Sequence, residues 1–329
     1  MLAADFPEAS GRVWVATSGT SGTLKMVALS RAALEASARA VNAHLGSVAE
    51  DVWLNPLPLF HVGGLGIIVR AALTGARWEP CGPWSADAFL RRADEVRATL
   101  ASLVPTQVYD LANSGCAPPP GLRAIVVGGG AIDQSLLRSM RDRGWNLLPS
   151  YGLTEASSQV ATAACDATAF QWLPLLPHVE ARPGEGSVVE LRGASLLDGW
   201  MIFGADGRVA WEDPKNDGWL RTGDRAELRG REIRILGRAD DLVKIRGELV
   251  DIAALERALQ SRVPAGKVAL QIEPDERNGV VLRVAVENEV AAREVLAARD
   301  ELFPPFARPE NVVVRAVVAT PLGKPLRRT

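Results

Sequence analysis

Apolar residues recur along this chain with two periods. Val13, Trp14 and Val15 form a short apolar run, Met26 to Leu29 alternates, and both stretches read as strands. Ser30 is a good N-cap, and the helix it opens, from Arg31 to about Leu45, places Ala33, Leu34, Ala38 and Val41 on one face. Pro56 and Pro58 forbid helix, so Leu59-Phe60-His61 is expected to end an extended segment, with Gly63 and Gly64 turning into a helix from Leu65 to Leu73. An amphipathic helix over 86–98, a buried strand from Thr99 to Val104 and a short helix starting at Pro105-Thr106-Gln107 come next. Leu122 to Val127 is a continuous apolar strand running into Gly128-Gly129-Gly130, with a helix from about Gln134 to Arg143. Asn146 to Pro149 is another strand, ending in Ser150-Tyr151-Gly152-Leu153-Thr154-Glu155. Strand, glycine turn and helix in repetition predict an α/β fold with ligands at the carboxyl ends of strands.

From Val188 the pattern turns to short β-runs: Val188–Arg192, Arg208–Trp211, Arg225–Leu228 and Glu232–Leu236. Beyond Arg238 a helix (Ile252 to Ser261), two strands (Lys267 to Glu273, Val280 to Glu287), a helix (Ala291 to Leu302) and a last strand (Asn311 to Val318) make a compact α+β unit. The expected organisation is a large N-terminal α/β domain with a β-rich subdomain over 1–238, and a small C-terminal α+β domain over 239–329.

Composition narrows the partners. The 329 residues are 47% hydrophobic and 23% charged with a net charge of −2, which disfavours nucleic acid or an anionic membrane as the main partner. Cys81, Cys116 and Cys165 are widely spaced and odd in number, so they form neither a disulfide framework nor a zinc site. His44, His61 and His178 have no paired metal-ligand spacing. Met1 to Ser10 lacks an apolar h-region and no apolar run approaches membrane-spanning length, so no signal peptide, no membrane insertion and a cytoplasmic location are expected.

The densest candidate chemistry is Thr17-Ser18-Gly19-Thr20-Ser21-Gly22-Thr23-Leu24-Lys25 between the first two strands. Small hydroxyl and glycine residues leave backbone N–H groups free to face an anion, and Lys25 adds a fixed positive charge. The loop is not a Walker A motif, because Lys25 lies three residues beyond Gly22, and it reads either as a polyphosphate cradle or as a polar hairpin turn. His61 faces a pocket or packs on Phe60. Gly128 to Gly130 offer bare backbone to a flat group such as a purine, or simply connect strand to helix. Tyr151 can stack on a base, Thr154 can donate to a phosphate oxygen and Glu155 can hold Mg²⁺. Asp224 accepts from a ribose diol or caps a turn.

Taken in order, TSGTSGTLK, PLFHVGG, GGG, YGLTE, GWLRTGD, GRADDLVKIRGE and PLGKPLRR resemble the adenylate-forming acyl-CoA synthetase superfamily from about residue 12 to the end. Leu57 to Arg70 and Ala101 to Gln107 look most like the o-succinylbenzoate–CoA ligases of menaquinone biosynthesis. The resemblance implies two half-reactions: a carboxylate attacks the α-phosphorus of ATP, and the CoA thiol then displaces AMP. It implies that Thr17 to Lys25 hold the β- and γ-phosphates, Glu155 the Mg²⁺ and Thr154 the α-phosphate. Gly128, Gly129, Gly130, Tyr151 and Gly152 would form the adenine site, and Asp224 with Arg238 the ribose site. Lys324 would reach in for the first step, and His61 would line the passage between acyl and CoA sites. Asp240 would be the hinge about which 241–329 rotate, bringing the Lys244–Gly247 face toward CoA. For the acid, with its aromatic ring and second carboxylate, Arg70 is the candidate cation and Ser157 and Ser158 the hydroxyl donors, though a plain surface role for Arg70 stands equally open.

One departure stands out: members of this superfamily usually carry a sizeable subdomain before the phosphate loop. Either a homodimer partner supplies the remaining cleft walls or the cleft is more open. Two other readings remain: another acyl-CoA ligase or carrier-loading adenylation enzyme, and a nucleotide-binding relative without catalysis.

Overall fold

The computed structural model describes residues 10–17, 24–167, 170–204, 208–245, 248–263, 267–275, 279–309 and 311–317. The chain divides into two compact units, one of Met1–Thr222 with Glu227–Ile235, the other of Gly223–Ala226 with Leu236–Thr329.

The first unit opens with β1 (Val13–Thr17), β2 (Leu24–Leu29) and α1 (Arg31–Leu45). The Ser30 hydroxyl accepts from the Ala33 N–H at 3.1 Å, and Gly46, in the left-handed region at φ 57°, ends the helix. Alternation of strand and helix follows: β3 (Val52–Asn55), α2 (Val62–Thr74), β4 (Arg77–Pro80), α3 (Ala86–Glu95), β5 (Leu100–Leu103) and α4 (Pro105–Ser114). Then come β6 (Ala124–Val127), α5 (Gln134–Asp142), β7 (Leu147–Leu153) and β8 (Ser158–Thr162). These strands form one sheet in the order β4-β3-β5-β6-β7-β8. Pairing is parallel from β4 to β7, and only β8 runs antiparallel to its neighbour. Every residue of β3, β5 and β6 is buried, as expected of parallel strands covered on both faces, and apart from Asn55 and Ser102 all of them are apolar. Trp53, Ile67, Ala71, Leu100 and Leu148 make the heart of this core.

Two smaller sheets complete the unit. β12 (Gly199–Phe203) joins β2, and β13 (Val209–Glu212) joins β12, giving the order β1-β2-β12-β13. The short β9 (Leu173–Pro174), β10 (Val179–Pro183) and β11 (Val188–Gly193) belong with β15 (Trp219–Arg229) and β16 (Glu232–Arg238) in the order β10-β11-β15-β16-β9; β14 (Lys215–Asn216) pairs with β15.

In the second unit β17 (Leu242–Ile245) and β18 (Glu248–Asp251) form a hairpin. The strands β19 (Val268–Asp275), β20 (Gly279–Val286) and β21 (Asn311–Val314) make a sheet that packs with α6 (Ile252–Arg262) and α7 (Glu289–Leu302) around Leu259, Leu270, Val284, Val295 and Phe303. Asp251 and Asn288 cap these helices through Ala254 N and Ala291 N, each at 2.9 Å.

Three expectations are corrected. α2 begins at Val62, so Gly63 and Gly64 lie in its first turn instead of leading to it. The reason is space: a Cβ on Gly64 would clash with the Pro58 carbonyl, so the glycine permits close approach of the helix to the chain before it. Leu59-Phe60-His61 is a turn, closed by the His61 N–H donating to Pro58 O at 3.2 Å, and the extended segment stops at Asn55. Asp224 lies inside β15 and not at a turn before a strand, because that strand starts five residues earlier, at Trp219.

At the amino ends of β3, β5 and β6 an ion pair staples the sheet. The buried Asp51 carboxylate accepts from Arg123 Nη2 at 2.7 Å, Thr99 Oγ1 at 2.6 Å and the Val48 N–H at 3.0 Å. Burial raises its pKa, but the donors from Arg123, Thr99 and Val48 together outweigh burial and hold it below the ordinary carboxylate value. Such a depressed carboxyl contributes stability above its unfolded pKa of about 4, and that contribution fades as pH falls through the folded value. Asp51→Asn is therefore expected to cost about 1–3 kcal/mol at pH 7 by urea unfolding, with the difference from wild type shrinking below about pH 4. At the other end of the sheet, β7 and β8 shift register between Tyr151 and Gly152, where a Cβ would run into Ser158 O. Gly152→Ala should lower Tm far more than Gly130→Ala, whose added Cβ would meet its nearest neighbour, Pro105 Cγ, at 3.6 Å. Equal Tm values would contradict the clash.

Candidate active site

Neighbouring parallel strands deliver two candidate stretches side by side. Val127 of β6 pairs with Pro149 of β7, so Gly128 emerges next to Ser150 and Tyr151. The Gly128 N–H donates to Leu103 O at 3.0 Å, Ser150 Oγ donates to Val127 O at 3.1 Å, and a Cβ on Gly128 would come within 2.9 Å of that hydroxyl. Gly129 has φ 81°, which a side chain disfavours, and both Gly129 and Gly130 are exposed. Bare backbone thus faces outward from the carboxyl end of β6. The Tyr151 ring beside it is 8% exposed, so it forms a wall and not a protruding lid.

After Gly152 and Leu153 the chain makes one 3-10 turn, Thr154–Ala156, anchored by the Leu197 N–H donating to Glu155 O at 2.8 Å. Ser157 and Ser158 follow with φ of 56° and 123°, two consecutive side-chain-bearing residues in a region that favours glycine. Ser157 is buried and donates its hydroxyl to Ser195 O at 2.8 Å. Ser158 accepts from Arg70 Nη2 at 3.2 Å.

Arg70 is the unusual group here. It sits on α2 at 1% exposure, over the Trp53 ring at 5.5 Å, and its Nε and Nη1 have no hydrogen-bond partner among the described residues. Burial lowers its pKa to about 10, which leaves it charged at neutral pH. One turn earlier, a Cβ on Gly66 would approach Nη2 within 3.0 Å, so the glycine leaves room for the guanidinium. Sequence reasoning missed Gly66; its signal is the i, i+4 spacing to Arg70 on a helix. His61 caps the same helix by position only, with no side-chain capping bond, and its ring tilts against the exposed Phe60 at 4.6 Å between centroids. Burial lowers the His61 pKa from the ordinary imidazole value, which favours the neutral ring.

Lys25 lies at the end of β2 opposite Thr17, which brings together the two ends of the hydroxyl-rich loop. In the second unit, Arg238 Nη1 pairs with Asp224 Oδ1 at 3.3 Å, and its guanidinium lies against the bare backbone of Gly223. Asp240 falls in the 3-10 turn Ala239–Asp241, and Lys244 in β17. Ser18, Gly19, Thr20, Ser21, Gly22, Gly247 and Lys324 lie outside the described residues, as do the side chains of Thr17, Asp240 and Lys244. Among the described residues no three acidic, cysteine or histidine side chains gather as a metal cage. A single carboxylate such as Glu155 suits Mg²⁺ that arrives on a nucleotide, since that ion keeps waters and phosphate oxygens as its other ligands.

The AMP-binding enzyme family matches residues 13–183. The 2-succinylbenzoate–CoA ligase of Bacillus licheniformis is 30% identical over 278 residues, 80% of this chain and 57% of the relative. The o-succinylbenzoate CoA synthetase of Bacillus subtilis has been solved with ATP and magnesium and with its acyl-adenylate intermediate. This chain is 25% identical to both structures, with TM-scores of 0.83 and 0.82; 95% of it superposes on 68% and 67% of those chains. The chain thus spans about three fifths of the length of that curated relative and about two thirds of those solved chains. With the family match covering β1, β2, the whole six-stranded sheet and the glycine and Tyr151–Glu155 turns, this chain belongs to the AMP-binding enzyme family.

Proposed function

We propose that this chain is an ATP-dependent acid–CoA ligase acting on o-succinylbenzoate, through an acyl-adenylate and then a CoA thioester. The buried Arg70 guanidinium carries the choice of acid. A cation at 1% exposure, hydrogen-bonded to a single neutral hydroxyl among the described residues, is costly to fold unless a carboxylate completes it. o-Succinylbenzoate brings two carboxylates. One reacts at phosphorus, and the other is available to Arg70 and Ser158, with Trp53 beneath the guanidinium. The acid-binding relatives named above support this reading.

In the adenylation step the chain's work is positioning and charge stabilisation. The exposed backbone of Gly128 to Gly130 and the Tyr151 wall receive adenine, Thr154 donates to the α-phosphate, and Thr17 to Lys25 face the β- and γ-phosphates. Glu155 holds Mg²⁺, which neutralises phosphate charge. Asp224, oriented by Arg238, accepts from the ribose hydroxyls. Lys324 stabilises the attacking carboxylate and bridging oxygens. In the second step the CoA thiol attacks the acyl carbonyl of the adenylate and AMP leaves, with His61 lining the path of the thiol. The free thiols of Cys81, Cys116 and Cys165 suit a reducing cytoplasm, where ATP and CoA are available.

Pyrophosphate release with ATP, Mg²⁺ and a panel of acids, followed by mass analysis of the thioester, tests the assignment. We expect turnover with o-succinylbenzoate and none with benzoate. Arg70→Ala should raise KM for o-succinylbenzoate about 30-fold or more while leaving the KM for ATP within about twofold, because a carboxylate would lose its buried partner. An unchanged KM for the acid would remove Arg70 from the pocket, and turnover with a different acid only would overturn the substrate.

A further inference from the structure

We infer that Trp200 is a positioning residue for the phosphate-facing Lys25, holding its ammonium by a cation–π contact. The inference deepens the reading of Lys25 given above and rests on it. β2 and β12 pair antiparallel with Val27 opposite Trp200 and Lys25 opposite Ile202. Lys25 and Trp200 are therefore diagonal neighbours on one face of the sheet, a separation that long side chains span. The ammonium does span it: Lys25 Nζ stands over the Trp200 ring at 4.3 Å from its centroid.

The indole is itself held in place. Gly199, the residue before it, has no room for a Cβ because the Trp211 ring of the next strand lies there, and Trp211 packs edge-on against Trp14 of β1 at 6.2 Å. This strand cannot slip without breaking that stack. The Trp200 Nε1 is buried and has no hydrogen-bond partner among the described residues. A buried, unpaired N–H is a cost that phenylalanine at the same place would avoid. What indole offers over phenyl is the more strongly attracting face for a cation.

A ring is also a suitable partner for a lysine that must meet a polyphosphate. A carboxylate would fix the ammonium equally well but would add negative charge beside the phosphates. The ring restricts the four-carbon stem without adding negative charge, so less ordering remains to be done when the nucleotide binds.

The test is the Kd of α,β-methylene-ATP with magnesium, measured by calorimetry on the full chain, alongside KM for ATP. Successive fluorination of Trp200, introduced at that position alone, keeps the shape of the ring and drains its negative face. We expect Kd to rise stepwise with fluorination, reaching roughly three- to tenfold, with Trp200→Leu at or beyond the top of the series and Trp200→Phe between wild type and Leu. A merely structural role would leave the fluorinated series flat, and a flat series overturns the inference even if Trp200→Leu fails to fold. Lys25→Ala separates the two claims. If it leaves Kd unchanged, Lys25 does not meet the phosphates and both readings fall. If it raises Kd but fluorination still weakens binding in the Lys25→Ala background, the ring acts other than through Lys25 and only the Trp200 inference falls.

Discussion

Where β7 passes β8, the carbonyl of Ser158 occupies the space that a Cβ on residue 152 would need. This close crossing, made at a shift of register, has several consequences. It ends the parallel sheet by turning the chain back as an antiparallel edge strand. It compresses the connection into one 3-10 turn that displays Thr154 and Glu155, with Leu197 N fastening the turn from outside. It also drives Ser157 and Ser158 into positive φ, which directs one hydroxyl to Ser195 and the other to Arg70. The turn proposed to face the nucleotide and the proposed acid anchor are thus two outcomes of one backbone constraint.

Arg70 shows how the fold tolerates an arrangement that is poor for stability. Its guanidinium is placed on a helix of otherwise apolar character, given room by Gly66, laid over Trp53, and provided with one neutral partner among the described residues. Replacing a buried ion by an apolar side chain of similar volume commonly stabilises a protein, so its presence here is better understood as preparation for an anion than as support for the core. The opposite case is Asp51 and Arg123 at the far end of the same sheet, where every carboxylate oxygen has a donor and the pair ties three strand ends together.

Much of this was legible in the sequence, and the exceptions have physical reasons. The start of α1 is legible because Ser30 caps it, and its end near Leu45 is set by the left-handed Gly46. The strand β6 is legible as an unbroken apolar run, and β5 as an apolar run interrupted only by Ser102. β4, with the sequence RWEP at the sheet edge, is only half-buried at best and has no apolar signature, so nothing local announces it. Gly63 and Gly64 mislead because glycine serves two ends, a turn or a close approach, and only the Pro58 carbonyl tells which applies. The role of Gly152 depends on a residue six positions later that meets it across a bulge, and the burial of Arg70 depends on β8. Neither can be read from local pattern. Membership of the family was recoverable because each motif keeps its order and spacing along the chain.

The most direct measurement of the central claim, that the Thr154–Glu155 turn supports adenylate formation, is exchange of labelled pyrophosphate into ATP. It reports the first half-reaction alone and needs no CoA. Exchange should require o-succinylbenzoate and Mg²⁺, and Glu155→Gln should reduce it by two orders of magnitude or so while the folded protein persists. Exchange that proceeds without any acid, or at the wild-type rate in Glu155→Gln, would contradict the account.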